Sequence, residues 1–335
     1  MTHITSTSEP SDKSDLSDLP HMMSLSSDDL DEIAEAARAL AQRGGDILMD
    51  RFHATIEISF KGQNAHDPVT EVDHAIEDMI RDEVHRIFPT HGVLGEERDN
   101  GGPLDADIVW VIDPLDGTSN FINGIGMFAC SIGILHRGTP IAGALWLPSN
   151  RFLVPGVYHS KVGEGLMFNG DAVDCGAPAL QAASRLSTVP AGTGGVTGPA
   201  GRRFGIARTF GSTATELALA AEGSVQMALF DGSRIWDVAG GVSLCIAAGR
   251  AVYTKGRGSE ERWRPFTRFG DKIDGPVNME QLRKWSDPLV AGDASVLPAS
   301  AAALKKEQSV AATAKRAAVK SVKRAFPNLP LPSYP

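Results

Sequence analysis

Trp110-Val111-Ile112-Asp113-Pro114-Leu115-Asp116-Gly117-Thr118-Ser119-Asn120-Phe121 is the stretch on which the reading of this chain turns. The apolar run from Ile108 to Ile112 reads as a buried strand, and it ends on an acid, a proline, a second acid and a glycine. Two carboxylates three residues apart at the tip of a strand repel each other, and burying them is costly unless a cation lies between them. Hard oxygen ligands at this spacing suit Mg²⁺. Thr118 adds a hydroxyl, and the turn offers backbone N–H groups that can meet a phosphate. The plain alternative is a solvated turn after a strand.

Three other acidic segments recur in similar settings. Gly95-Glu96-Glu97 follows the short apolar pair Val93-Leu94; Glu97 reads as a solvated loop acid. Asp67-Pro68-Val69-Thr70-Glu71-Val72-Asp73 precedes an amphipathic segment, where Asp73 could equally be a first-turn acid favoured by the helix dipole. Trp236-Asp237-Val238-Ala239-Gly240-Gly241 opens an apolar helical run, where Asp237 could be a cap beside a core tryptophan.

Taken together the four segments resemble the inositol monophosphatase family of Mg²⁺-dependent, lithium-sensitive phosphatases. Its pattern of Gly-Glu-Glu, Asp-Pro-x-Asp-Gly-Thr-x-x-Phe and Trp-Asp-x-Ala occurs here in order, with the earlier Asp-x-x-Thr-x-x-Asp ending at Asp73. Phe168-Asn169-Gly170 and Gly211-Ser212-Thr213-Ala214 resemble its later glycine-rich turns. The likeness runs from about Ser26 to about Leu304.

Composition sets the outer bounds. The chain has 335 residues, 42% of them hydrophobic and 22% charged, enough to build one large core or two smaller ones. No apolar run approaches the length of a membrane helix. The N-terminus is rich in Ser, Thr and Asp, which excludes a secretory signal pattern, and three cysteines without metal-ligand spacing fit reduced thiols. The expected location is therefore cytoplasmic. A net charge of −9 speaks against direct nucleic acid binding.

Periodicity predicts helices over Ser26–Leu48, Asp73–Phe88, Thr213–Glu222 and Asp237–Ala248. Strands are expected at Ile56–Phe60, Val109–Asp113, Ala129–His136, Pro140–Leu147, Arg151–Tyr158, Glu164–Asn169, Val225–Phe230 and Val290–Gly292. Two helices followed by many strands is an α+β order rather than a βαβ series. Residues 1–24 read as a disordered acidic and Ser-rich tail, 25–183 as an N-terminal half, 184–304 as a C-terminal half closed by a helix to Leu304, and 305–335 as a basic, proline-ending tail. Residues 192–205, rich in glycine, read as a loop where related enzymes carry a longer helical segment.

The resemblance implies a layered α/β/α/β/α sandwich of the sugar phosphatase type, usually a homodimer. It implies that Glu96, Asp113 and the Leu115 carbonyl hold one Mg²⁺ ion, that Asp113 bridges to a second shared with Asp116 and Asp237, and that a third lies near Glu96 and Asp73. It gives Thr118 and Asp73 the task of orienting and deprotonating the attacking water, with Glu96 beside them, and gives Gly117 and Thr118 the phosphate. Gly211, Ser212, Thr213 and Asp231 would meet the rest of the substrate.

The implied activity is phosphomonoester hydrolysis of inositol monophosphate or a similar small phosphorylated polyol. The Thr-Ser-Asn-Phe ending of the central motif favours it. One departure bears on substrate: the glutamate that contacts sugar hydroxyls, seven positions before the Trp-Asp aspartate, is here Phe230, with the carboxylate moved to Asp231. Histidinol-phosphate or fructose-1,6-bisphosphate phosphatase activity, or a non-catalytic binding role in a transcription complex, are the alternatives. Arg250 reads as a surface residue, and Arg234 as a dimer or surface contact, with a substrate contact as the alternative.

Overall fold

The computed structural model describes residues 25–54, 58–60, 68–176, 185–191, 193–197, 205–255, 262–270, 277–295, 297 and 305–308. In chain order, helix α1 (Ser27–Arg51) leads to a short antiparallel ribbon of β1 (Ile58–Phe60) and β2 (Pro68–Thr70), then to α2 (Glu71–Ile87). Strands β3 (Gly92–Gly95) and β4 (Ile108–Asp116) precede the one-turn helix α3 (Thr118–Ile122). Next come β5 (Ala129–His136), β6 (Thr139–Leu147), β7 (Gly156–Lys161), β8 (Met167–Phe168) and β9 (Asp171–Ala172). The second half holds β10 (Leu186–Thr188), β11 (Thr193–Thr197), β12 (Ile206–Arg208), α4 (Thr213–Glu222), β13 (Val225–Phe230), α5 (Ile235–Ala247) and β14 (Ala251–Thr254). It ends with β15 (Arg264–Pro265), α6 (Met279–Arg283), β16 (Leu289–Gly292) and β17 (Lys305–Gln308).

Two sheets organise the molecule. Strands β3 to β9 form a seven-stranded sheet in sequence order; a six-stranded sheet runs β12-β10-β13-β16-β14-β15. Helices α1 and α2 cover one face of the first sheet, and α4 and α5 lie between the two sheets. This is the expected α+β sandwich. Four of its layers lie within the described residues, and the closing helix expected up to Leu304 falls outside them.

The first two helices are started by their own sequence. Ser26 caps α1 through a reciprocal box with Asp29, and Thr70 caps α2 through a box with Asp73. Apolar residues every three or four positions then bury one stripe, with Ile33, Ala37, Leu40 and Leu48 from α1 meeting Ile76, Ile80 and Val84 from α2. Helix α5 is apolar around most of its circumference because both faces meet a sheet.

The approach of α5 to the first sheet is closer than side chains would allow. A Cβ at Gly133 on β5 would stand 2.6 Å from the backbone of Ala239 and Gly240, and one at Gly143 on β6 would stand 2.7 Å from the Gly240 carbonyl oxygen. Glycine inside a strand here marks a backbone approach rather than a weak strand. This contact sets the height at which the N-terminus of α5 meets the end of β4.

Several sequence expectations shift. Residues 151–154 form a turn before β7, with Leu153 at φ 59°, instead of the start of a strand. The stretch read as a loop contains β11, which pairs antiparallel with β17, so the first four residues of the basic tail belong to a ladder. Neither segment alternates apolar and polar residues, so no period marked them. Strands β10, β12 and β14 and helix α6 were too short to show a period. Residues 1–24 and 309–335 lie outside the described residues.

Trp110 at the heart of β4 donates from Nε1 to Nδ1 of His91 at 3.0 Å, and burial pushes that imidazole down from 6.5 to about 4. The unfolded chain therefore binds the extra proton between these values, and the contribution to stability is present above pH 6.5 and lost as pH falls towards 4. His91→Gln, which keeps an acceptor for Trp110, is expected to flatten the acid limb of a stability-versus-pH profile. An unchanged limb would rule out His91 as its source. Gly133→Ala is expected to lower stability by roughly 1–3 kcal/mol, because backbone cannot swing aside as a side chain can. A thermal unfolding curve indistinguishable from that of the parent would refute the close-packing argument.

Candidate active site

The two acids of the central motif sit three residues apart on one strand, and in a regular strand they would point to opposite faces. They do not, because β4 carries an extra residue. Asp113 pairs with Ser131 and Asp116 with Ala129, so three steps on β4 match two on β5. This bulge falls at Pro114-Leu115, where proline has no N–H to leave unpaired. The bulge restores the parity and turns both carboxylates to one side. Here the sequence reading, which ended the strand at Asp113, stops three residues short.

Asp237 arrives from the first turn of α5 and completes the cluster. One carboxylate oxygen from each of Asp113, Asp116 and Asp237 lies within 4.8 Å of the others. Asp113 is 2% exposed and Asp116 8%. Burial, then the Glu96, Asp116, Asp237 and Asp73 carboxylates, push the Asp113 acid well above its ordinary value. Asp237 is raised likewise by burial and by Asp116. Burial lifts Asp116 to about 7 even though three groups at the start of α4 hold it down. They are the Ser212 hydroxyl, the Ala214 amide at 2.8 Å and the Thr213 amide. Buried all-oxygen acids that repel one another fit a hard divalent cation, which supplies the charge the cluster lacks.

Glu96 faces the cluster from the end of β3. That strand runs parallel to β4 with Gly95 opposite Ile112, and the Glu96 amide donates to the Ile112 carbonyl at 3.2 Å. The register sets Glu96 alongside Asp113, although it lies outside the tight group of three. The Glu96 loop is held by Glu77, fully buried on α2, which accepts from the Glu97 amide at 2.7 Å and the Arg98 amide at 3.1 Å. Arg81, one turn on, pairs with Glu77 at 2.7 Å. Glu77 was missed in the sequence, yet it left a signal: an acid on the buried face of α2, four residues after Asp73 and four before Arg81.

Asp73 divides its two oxygens. Oδ2 accepts from the Thr70 amide at 2.9 Å and from the Thr70 hydroxyl, closing the cap of α2. Oδ1 faces the Thr118 hydroxyl at 3.5 Å. Thr118 Oγ1 lies closer to the Leu115 carbonyl, at 3.0 Å, so one hydroxyl proton has two acceptors in reach and the carbonyl is the nearer. The helix cap thus uses Oδ2 alone and leaves Oδ1 turned to Thr118.

Gly117 begins α3 in the left-handed region at φ 90°, and no side chain caps the helix. A Cβ there would press on the Met127 carbonyl and on Ser212 at 3.0 Å. Asn120 ties α3 to the next turn by donating to the Met127 carbonyl at 2.6 Å and the Phe210 carbonyl at 2.8 Å. Glu216 fixes that turn from below by accepting the Phe210 amide at 2.7 Å. Beyond it opens a cavity of about 290 Å³ lined by Gly211, Ser212, Thr213, Phe230, Asp231 and Ser233, among others. The expected substrate contacts Gly211, Ser212, Thr213 and Asp231 thus share one wall. Ser212 itself is spent on Asp116 and on Thr215 at 2.7 Å. Phe230 packs into the core cluster, and exposed Asp231 follows it on the rim.

Not every resembling turn belongs here. Phe168-Asn169-Gly170 forms the β8–β9 hairpin, with φ 51° at Asn169 and 93° at Gly170, where Asn169 accepts from the Val157 amide at 2.8 Å. Arg250 is half-buried and braces the end of α4 by donating to the Ala221 carbonyl at 2.9 Å, so it is no plain surface residue. Arg234 is exposed, and its amide donates to Asp237 at 2.8 Å. All three cysteines are free, and no described helix is long and apolar enough to cross a membrane.

A model of the inositol monophosphatase family matches residues 29–268. The chain belongs to the inositol monophosphatase family. A fructose-1,6-bisphosphatase/inositol-1-monophosphatase of Aquifex aeolicus is 30% identical over 231 residues, covering 65% of this chain and 83% of that protein. The Nus factor SuhB of Escherichia coli is 32% identical over 222 residues, covering 63% of this chain and 81% of its own length. Among solved structures, the extragenic suppressor protein suhB of Bartonella henselae superposes with a TM-score of 0.60 at 23% identity, over 79% of this chain and 95% of that one, which shows the shared fold.

The acid cluster carries a physical consequence that can be measured. With a chelator present, Asp113→Asn is expected to melt above the wild type, because it removes one of the mutually repelling buried carboxylates. Added Mg²⁺ should stabilise the wild type, by about 2.7 kcal/mol at a hundredfold excess over Kd, and leave the variant nearly unmoved. Equal Mg²⁺ stabilisation of both proteins would show that the ion does not depend on Asp113.

Proposed function

We propose that this chain is a Mg²⁺-dependent phosphomonoesterase that hydrolyses inositol monophosphate or a similar small polyol phosphate. The observation that carries the reading is the convergence of buried Asp113 and Asp116 with half-buried Asp237, beside a cavity whose wall contains Ser212, the residue that donates to Asp116. In this reading Glu96, Asp113 and the Leu115 carbonyl hold one ion, and Asp113, Asp116 and Asp237 a second, with a third near Glu96 and Asp73. Bound there, the ions would neutralise phosphate oxygens and acidify a water.

The chain's own groups do the rest. Thr118 orients the attacking water through its hydroxyl, and Asp73 Oδ1, within 3.5 Å of that hydroxyl, takes the proton. The amides of Gly117 and Thr118 meet phosphate oxygens at the uncapped start of α3. Asp231 on the cavity rim accepts from substrate hydroxyls, the task that Phe230 in the core cannot perform. A homodimer is the assembly this reading carries with it.

Phosphate release from inositol 1-phosphate, histidinol phosphate, fructose 1,6-bisphosphate and phosphoadenosine phosphate, each with and without lithium, tests the proposal. Fast, Mg²⁺-dependent and lithium-blocked release from inositol 1-phosphate is the expected result; release from none of the four would sink it. Thr118→Ala is expected to lower kcat by roughly a hundredfold while KM moves little. A change confined to KM would instead assign Thr118 to binding.

The Escherichia coli relative named a Nus factor supports a second reading, a binding role in a transcription complex. Capture of RNA polymerase that persists with Asp113→Asn would favour it.

A further inference from the structure

Arg283 is the last residue of α6, distant in sequence from every acid of the site. Its guanidinium reaches across the molecule to the Glu96 loop. Nη2 donates to the Gly95 carbonyl at 2.8 Å and to the Arg98 carbonyl at 2.7 Å, and Nε donates to Asn100 Oδ1 at 2.9 Å. The same group lies over the Trp236 ring, 5.5 Å from its centroid. Trp236 immediately precedes Asp237. One planar cation therefore touches both the loop that carries Glu96 and the helical turn that carries Asp237.

The loop is gripped from two sides by groups of opposite charge. Glu77 takes its amides, at Glu97 and Arg98, and Arg283 takes its carbonyls, at Gly95 and Arg98. Gly95 leaves no room for a side chain, since a Cβ there would stand 2.2 Å from the Glu77 carboxylate. With Glu77 anchored on α2 and Arg283 on α6, the position of Glu96 relative to Asp237 is set by elements from both halves of the chain.

We infer that Arg283 is a positioning residue for the metal centre: it holds Glu96 and Asp237 at their working separation through the Gly95–Arg98 loop and the Trp236 ring. The inference rests on the metal reading proposed above. Lysine would keep the charge but not the fork that serves three acceptors and a ring at once, so Arg283→Lys should behave like Arg283→Gln.

The test is Mn²⁺ binding, titrated by calorimetry into metal-free protein, for wild type, Arg283→Gln, Arg283→Lys and Arg185→Gln. Arg185 is the control: it forms a nearly buried ion pair with Asp293 at 2.7 Å, so its loss costs stability without touching the Glu96 loop. Both Arg283 variants should bind Mn²⁺ about tenfold more weakly or worse, the range seen when groups that orient ligands are removed. Arg185→Gln should match the wild type even where its melting temperature falls. Should Arg283→Gln fail to fold, Trp236→Leu, which keeps the carbonyl hydrogen bonds but removes the ring, should still weaken Mn²⁺. Undiminished binding in the folded Arg283 variants, or equal weakening in Arg185→Gln, would overturn the inference while leaving the metal site standing. A wild type that binds no Mn²⁺ would overturn the metal reading and this inference with it.

Discussion

The site depends on a parity constraint. A strand turns alternate side chains to opposite faces, so acids at positions i and i+3 belong to different faces unless something intervenes. The extra residue at Pro114-Leu115 intervenes, and with it Asp113 and Asp116 point together. The structure then answers only part of the repulsion it has created. Asp116 is set against the amides that open α4, while Glu96 and Asp237, brought up from β3 and α5, add to the repulsion and leave the cluster short of positive charge. A regular strand in place of the bulge would scatter the cluster with every other element unchanged.

The second requirement is proximity between halves. Helix α5 must lie low enough on the first sheet for Asp237 to meet Asp113, and Gly133 and Gly143 supply the clearance. Above, the helix is covered by the second sheet, so it is apolar nearly all round. Local choices thus agree with the global fold: small residues where backbones meet, apolar ones where sheets close, and an acid only at the turn that faces the cluster.

How legible this was differs by element. The strand Ala129–His136, the helix Thr213–Glu222 and the strand Val225–Phe230 have the bounds that their apolar patterns indicate. Those patterns are long enough for a period to show. Strands of two to four residues carry no period, and β11 with β17 forms a ladder from residues that show no alternation. The acids of the cluster were visible because a motif of fixed spacing marks them. The bulge that aligns them was not, since Asp-Pro-Leu-Asp reads equally well as a turn. Glu77 lay within reach of a reading of α2 by face. Arg283 did not, because a contact spanning 188 residues leaves no local trace.

On the function proposed here, Asp73 ties helix formation and chemistry to one side chain, and this has an evolutionary consequence. A descendant relieved of catalysis would still need Asp73 Oδ2 to close the cap at Thr70, so selection for folding would preserve it. Asp113, which accepts the Leu115 amide at 3.1 Å but has no comparable structural task among its described contacts, would be free to drift to a neutral residue. When related chains are compared, the aspartate of the α2 cap therefore reports that the fold is intact. On the proposed function, the aspartate before the bulge would report whether the chemistry is still being maintained.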